Sequence, residues 1–97
     1  MSVPQANLSQ AIYYLPGRGG RLGAGLGSAL LERGHEVRGR ETVGEFQRLG
    51  FSDQLALVAD DLQSHFWHSD ALVLANSFGA YLFLQAQSQI SPFPGRV

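Results

Sequence analysis

The sequence predicts an α/β fold, a short parallel sheet of about three strands within a three-layer α/β/α sandwich. Three observations carry this reading. Residues 11–15 and 71–75 are nearly continuous apolar runs of strand length, as expected for strands buried on both faces. Between such runs lie segments with apolar residues at helical spacing, long enough to serve as crossovers. Glycine, proline, serine and aspartate mark the boundaries. Strands alternating with helices give parallel sheets joined by right-handed crossovers, and that handedness puts the first strand between the other two.

The elements follow in order. Ala11-Ile12-Tyr13-Tyr14-Leu15 is the first strand, stopped by Pro16-Gly17. Pro16 to Gly27 holds six glycines and must include an unusual turn or a close backbone approach. Leu22, Leu26, Ala29 and Leu30 recur at helical spacing, and Gly34 stands where a helix end takes a left-handed residue. His35-Glu36-Val37-Arg38 is a short second strand, and Gly39 to Gly50 a polar loop. Ser52 is the expected N-cap of the next helix, with Asp53 in its first turn. Leu55, Val58, Ala59, Leu62 and Phe66 form its apolar stripe. Ala71 to Ala75 is the third strand. Gly79 to Ser88 is a final helix, with Ala80, Phe83, Leu84 and Ala86 as expected contacts, closed by Ser91-Pro92-Phe93-Pro94-Gly95.

Composition narrows the function classes. A chain of 97 residues has room for one core: a polar tail at 1–10 and one domain at 11–97. Hydrophobic residues at 44% and charged residues at 15% describe a globular chain rather than a disordered one. All seven basic residues are arginine, interleaved with acids, so no basic stripe points to nucleic acid. The absence of cysteine excludes disulfides and thiolate metal sites. The start, Met1 to Gln10, lacks the basic and apolar regions of a signal peptide, and no segment reaches membrane-spanning length. A cytoplasmic protein without cofactor or metal is the expectation.

Two motifs bear on chemistry. The third strand runs straight into Ala75-Asn76-Ser77-Phe78-Gly79 and a helix, a G-x-S-x-G pattern with alanine in the first place. A sharp strand–helix turn lifts its central serine above the sheet and requires small residues two before and two after. Ala75 and Gly79 meet that need. The turn would present the Ser77 Oγ and aim the Phe78 backbone N–H at a developing oxyanion. The competing reading is an ordinary strand end, since small-x-Ser-x-Gly is common. The second motif, Leu15-Pro16-Gly17-Arg18-Gly19-Gly20, is either a tight turn or a loop whose Arg18 N–H supplies a second oxyanion donor.

On these residues the chain resembles the α/β-hydrolase family, particularly small bacterial members with a strand-Pro-Gly-x-Gly-Gly loop and an Asn-Ser-Phe-Gly-Ala-Tyr elbow. The resemblance runs from Ala11 to Val97 and covers about half of a complete hydrolase. It implies Ser77 as nucleophile, Arg18 and Phe78 as oxyanion donors, and acyl-ester hydrolysis as the reaction. Pro16 stands where the family usually has histidine. The chain also stops before the strands that carry the triad aspartate and histidine. His35, His65 and His68 all fall at the N-terminal strand ends, whereas Ser77 lies at the C-terminal ends, about 17 Å away across a five-residue strand. A serine without a base is a poor nucleophile at neutral pH, so little or no activity of the chain alone is expected.

Two other classes stay open. Gly17-x-x-Gly20-x-x-Gly23 matches a short-chain dehydrogenase glycine spacing, with Arg40 placed to meet a 2′-phosphate. Against it, Arg40 to the third strand leaves no room for another strand, and no lysine exists for a Tyr-x-x-x-Lys pair. The other class is a non-catalytic interaction module. A third strand lacking an outer neighbour exposes an edge that invites pairing, so a homodimer or a complementing protein chain is the expected partner. Symmetric pairing there would be antiparallel.

Overall fold

Ile12, Tyr13, Tyr14 and Leu15 are all buried, so strand β1 (Ala11–Leu15) is covered on both faces, as its unbroken apolar run requires. In the computed structural model, which describes residues 11–97, β1 is the centre of a three-stranded sheet. It pairs in parallel with β2 (Glu36–Gly39) on one side and with β3 (Leu72–Ala75) on the other. The order β2-β1-β3 puts the first strand in the middle, as expected, and is compatible with right-handed crossovers. Register aligns Tyr13 with Arg38 and with Val73, and Leu15 with Ala75. The expected polar tail at 1–10 lies outside the described residues.

Helix α1 (Leu26–Glu32) joins β1 to β2 and begins later than its apolar spacing predicts, leaving Leu22 in the preceding turn. The cause is local: Gly27 packs its backbone against the Leu22 carbonyl, and Leu22 N–H donates to Glu41 Oε2 at 2.8 Å. Those contacts hold Leu22 out of the helix. The other end follows the sequence expectation. Gly34 has φ 88°, His35 N–H reaches the Leu30 carbonyl at 3.1 Å, and Gly34 N–H reaches Leu31 at 3.0 Å. This pair of bonds closes a helix on a left-handed residue.

The segment expected as a polar loop contains a short helix, α2 (Gly44–Arg48). Its one apolar anchor, Phe46, is buried, and five residues are too few for a periodic signal. Helix α3 (Phe51–His65) is capped by Gly50 in extended conformation, so Ser52 sits inside the helix and makes no cap hydrogen bond. Two contacts start α3 early. Phe51 stacks on Tyr81 with ring centroids 5.4 Å apart, and buried Gln54 donates from Nε2 to the Phe46 carbonyl at 2.9 Å. Leu55, Val58 and Leu62 form the buried stripe as expected, whereas Ala59 is only partly covered.

Helix α4 (Phe78–Ser88) packs along α3, burying Leu82, Phe83 and Ala86. Leu84, an expected contact, is 57% exposed; the inward face falls on Leu82 instead. The buried groups of β1, β3, α3 and α4 form one cluster, with Tyr13, Leu15, Val58, Leu62 and Leu82 at its centre. Tyr13 carries the cluster's polar tie. Its hydroxyl donates to Asp61 Oδ2 at 2.6 Å, and the Arg40 guanidinium grips the same carboxylate through Nε at 2.7 Å and Nη2 at 2.8 Å. Burial, then the hydrogen bond to Asp61, pushes the Tyr13 phenol above its ordinary range.

The segment after α4 folds back. Phe93 meets Trp67 and Phe83 edge-on, at 5.2 and 5.3 Å, and so brings Arg96 to the outer edge of β3. Arg96 N–H donates to the Ala71 carbonyl at 2.9 Å, and Val73 N–H donates to the Arg96 carbonyl at 2.8 Å, a parallel bridge. That edge is therefore covered at its first rungs. Among the described residues, no helix is long and apolar enough to cross a membrane.

Candidate functional site

Ser77 lies between the last residue of β3 and the first turn of α4, at the carboxyl end of the sheet, and it is exposed. Its backbone has φ 54° and ψ −118°, and among the described residues it is the only non-glycine with positive φ. L-residues avoid this region, at a cost of about 1–3 kcal/mol, and hold it only where the surroundings impose it. Here three hydrogen bonds impose it. Asn76 N–H is anchored to the Leu15 carbonyl at 3.0 Å, Gly79 N–H to Asn76 at 2.9 Å, and Tyr81 N–H to Ser77 at 3.1 Å. The requirement for a small residue two places on is also met physically. A Cβ on Gly79 would sit inside the Leu15 carbonyl group.

The 16–20 loop, at the end of β1, runs beside this turn. A methyl built on Gly17 would lie 3.4 Å from Ser77 Cβ and 3.9 Å from its Oγ. The two sequence motifs are thus brought together at adjacent strand ends. Among the described residues, neither the Arg18 nor the Phe78 backbone N–H has an acceptor. Oxyanion binding requires unpaired donors aimed at one point near the nucleophile, and the Phe78 amide is the one immediately next to Ser77 in the chain. The side chains of Arg18 and Phe78 touch, the Arg18 guanidinium lying 4.2 Å above the Phe78 ring centroid.

One residue essential to this loop carries no motif. Thr42 is 1% exposed, and its hydroxyl bonds both the Gly17 carbonyl and the Gly20 N–H. Its backbone exchanges two further bonds with the loop, from Gly19 N–H at 3.1 Å and to the Gly20 carbonyl at 3.0 Å. A lone threonine in a polar segment gives no sequence signal. Only the pairing of β2 with β1 places it over the glycines.

The histidines lie elsewhere. His65 and His68 line a groove of about 570 Å³ with Ala11, Glu36 and Arg38, away from the Ser77 turn. His35 sits in the turn between α1 and β2. Arg40 borders the same groove with its fork held by Asp61, which leaves little of it for a 2′-phosphate. Among the described residues, no group of three or more His, Asp or Glu side chains is arranged to hold a metal ion. Comparison with family models, with curated proteins and with solved structures finds no match.

Proposed function

We propose that Ser77 is the nucleophile of a serine hydrolase-like site of α/β-hydrolase type, with the Phe78 and Arg18 backbone N–H groups as its oxyanion donors and acyl esters as its substrate class. The observation that carries this reading is the Ser77 backbone, φ 54° and ψ −118°, held in a tight turn over the carboxyl end of a parallel sheet. The two unpaired amides beside it support the same reading. The described residues bring no histidine to Ser77, so the chain alone turns over esters slowly or not at all. An oxyanion site without a base sustains about 10³–10⁴-fold over water. In this reading the protein is cytoplasmic and needs no cofactor.

A fluorophosphonate incubation read by mass spectrometry tests the assignment. Slow adduct formation concentrated on Ser77, and lost in Ser77→Ala, is the expected outcome. Modification spread evenly over the serines contradicts the nucleophile, and rapid stoichiometric labelling contradicts the low activity.

A structural reading is favoured by one observation, the outer edge of β3. Arg96 engages Ala71 and Val73, and the next rungs of that parallel ladder are the Val73 carbonyl and the Ala75 N–H. We propose that this edge accepts a strand from a second copy or from a complementing chain.

A further inference from the structure

The 16–20 loop, the start of α4 and the junction of α2 with α3 border a cavity of about 180 Å³ that opens to solvent, with Arg18 and Phe51 exposed at its rim. Arg18, Thr42, Leu49, Phe51, Gln54 and Phe78 are among the residues that line it. Its position is informative, because Arg18 and Phe78 are the residues whose amides are proposed above as oxyanion donors.

Charge is equally informative. The lining contains a guanidinium and no carboxylate. The acids of neighbouring elements, Glu41, Glu45 and Asp53, lie outside it, and Glu41 already accepts from Leu22 N–H at 2.8 Å. Arg18 has no acidic partner among the described residues; its Cζ lies 4.2 Å over the Phe78 ring centroid. No hydrogen bond among the described residues engages its N–H groups, and a guanidinium edge matches a carboxylate with two parallel hydrogen bonds. The amino ends of α3 and α4, helices of 15 and 11 residues, border the cavity at Phe51 and Phe78 and add positive potential.

We infer that this cavity binds the carboxylate of a small ligand through the Arg18 guanidinium, with the Phe51 and Phe78 rings taking its apolar part. The volume is below the usual range of about 300–1,000 Å³ for drug-sized ligands, which limits the occupant to roughly a single ring or a short chain. This deepens the proposed function and rests on it for one step, that the bound group is part of the ester substrate. Recognition itself involves no reaction at Ser77.

Backbone amide NMR on the full chain, titrated with benzoate and separately with benzamide, tests the site. Benzoate is expected to shift the amides of Arg18, Thr42 and Phe78 saturably, with benzamide at least tenfold weaker. Arg18→Met is expected to weaken benzoate at least tenfold. Arg18→Lys keeps the charge, loses the planar fork, and is expected to fall between; it also decides the matter if the methionine variant does not fold. Equal affinity for the two ligands, unchanged benzoate affinity in both variants, or shifts confined to Arg38 and Arg40 would overturn the inference. Ser77→Ala should bind benzoate as the native chain does. Benzoate binding without preferential phosphonylation of Ser77 would sink the hydrolase reading alone, and the converse would sink the carboxylate site alone.

Discussion

Gly79 illustrates how one residue joins fold to function. Its missing side chain lets the first turn of α4 pass directly over the end of β1, where any Cβ would collide with the Leu15 carbonyl. That carbonyl also accepts from Asn76 N–H, so the collision would fall on the same bond that anchors the Ser77 turn. Gly79→Ala is therefore expected to destabilise the chain by about 1–3 kcal/mol, toward the upper end because the obstacle is backbone and cannot rotate away. Urea unfolding measures this; a midpoint equal to the native chain would mean that the turn is looser than described. This part of the site was legible in the sequence, because small residues on either side of a serine record the steric demand directly. Thr42 was not. Its role comes from hydrogen bonds to residues more than twenty positions earlier, and nothing in its own neighbourhood encodes them.

Among elements, strands were read more accurately than helix starts. The run at 11–15 is apolar because both faces are covered, and burial leaves a mark in composition; in the run at 71–75 Ala71 and Val73 are buried while Leu72 and Leu74 are only partly covered. Helix α3 starts at Phe51 rather than beyond Ser52 because ring stacking on Tyr81 and the Gln54 bond to Phe46 outweigh a serine cap worth about 1 kcal/mol. Those are tertiary contacts, invisible to local reading. The tie between β1 and α3 yields a pH prediction. The Tyr13 phenol is pushed upward in the folded chain, from an ordinary value of 10.0, by burial and by Asp61. Its contribution is complete below pH 10 and lost as pH rises beyond it, because the unfolded chain releases that proton first. Alkaline unfolding should therefore be less steep in Tyr13→Phe, by up to about 1.4 kcal/mol per pH unit above pH 10, although that variant is less stable at neutral pH. Parallel alkaline slopes for the two proteins would contradict the buried Tyr13–Asp61 bond.

For the whole molecule, the order β2-β1-β3, with the first strand in the middle, is the one expected from the sequence and is compatible with right-handed crossovers. The return of the 91–96 segment to the outer edge of β3 is not expected from it. It depends on Phe93 fitting between Trp67 and Phe83, a three-ring contact drawn from separate parts of the chain. Arg96 occupies the beginning of that edge, and among the described residues the Val73 carbonyl and the Ala75 N–H beyond it have no backbone partner. Exposed edges of this kind promote pairing, so light scattering is expected to give a mass above the monomer as concentration rises. A constant monomer mass would set the pairing proposal aside without touching Ser77.

The turn at Ser77 matters only if its hydroxyl and the two neighbouring amides act on the same group. A crystal structure of the chain after prolonged fluorophosphonate treatment examines this directly. The phosphonyl oxygen is expected about 2.7–3.1 Å from the backbone nitrogens of both Phe78 and Arg18, with phosphorus bonded to Ser77 Oγ. A phosphonyl oxygen turned to solvent, or phosphorus attached to a different serine, would contradict it.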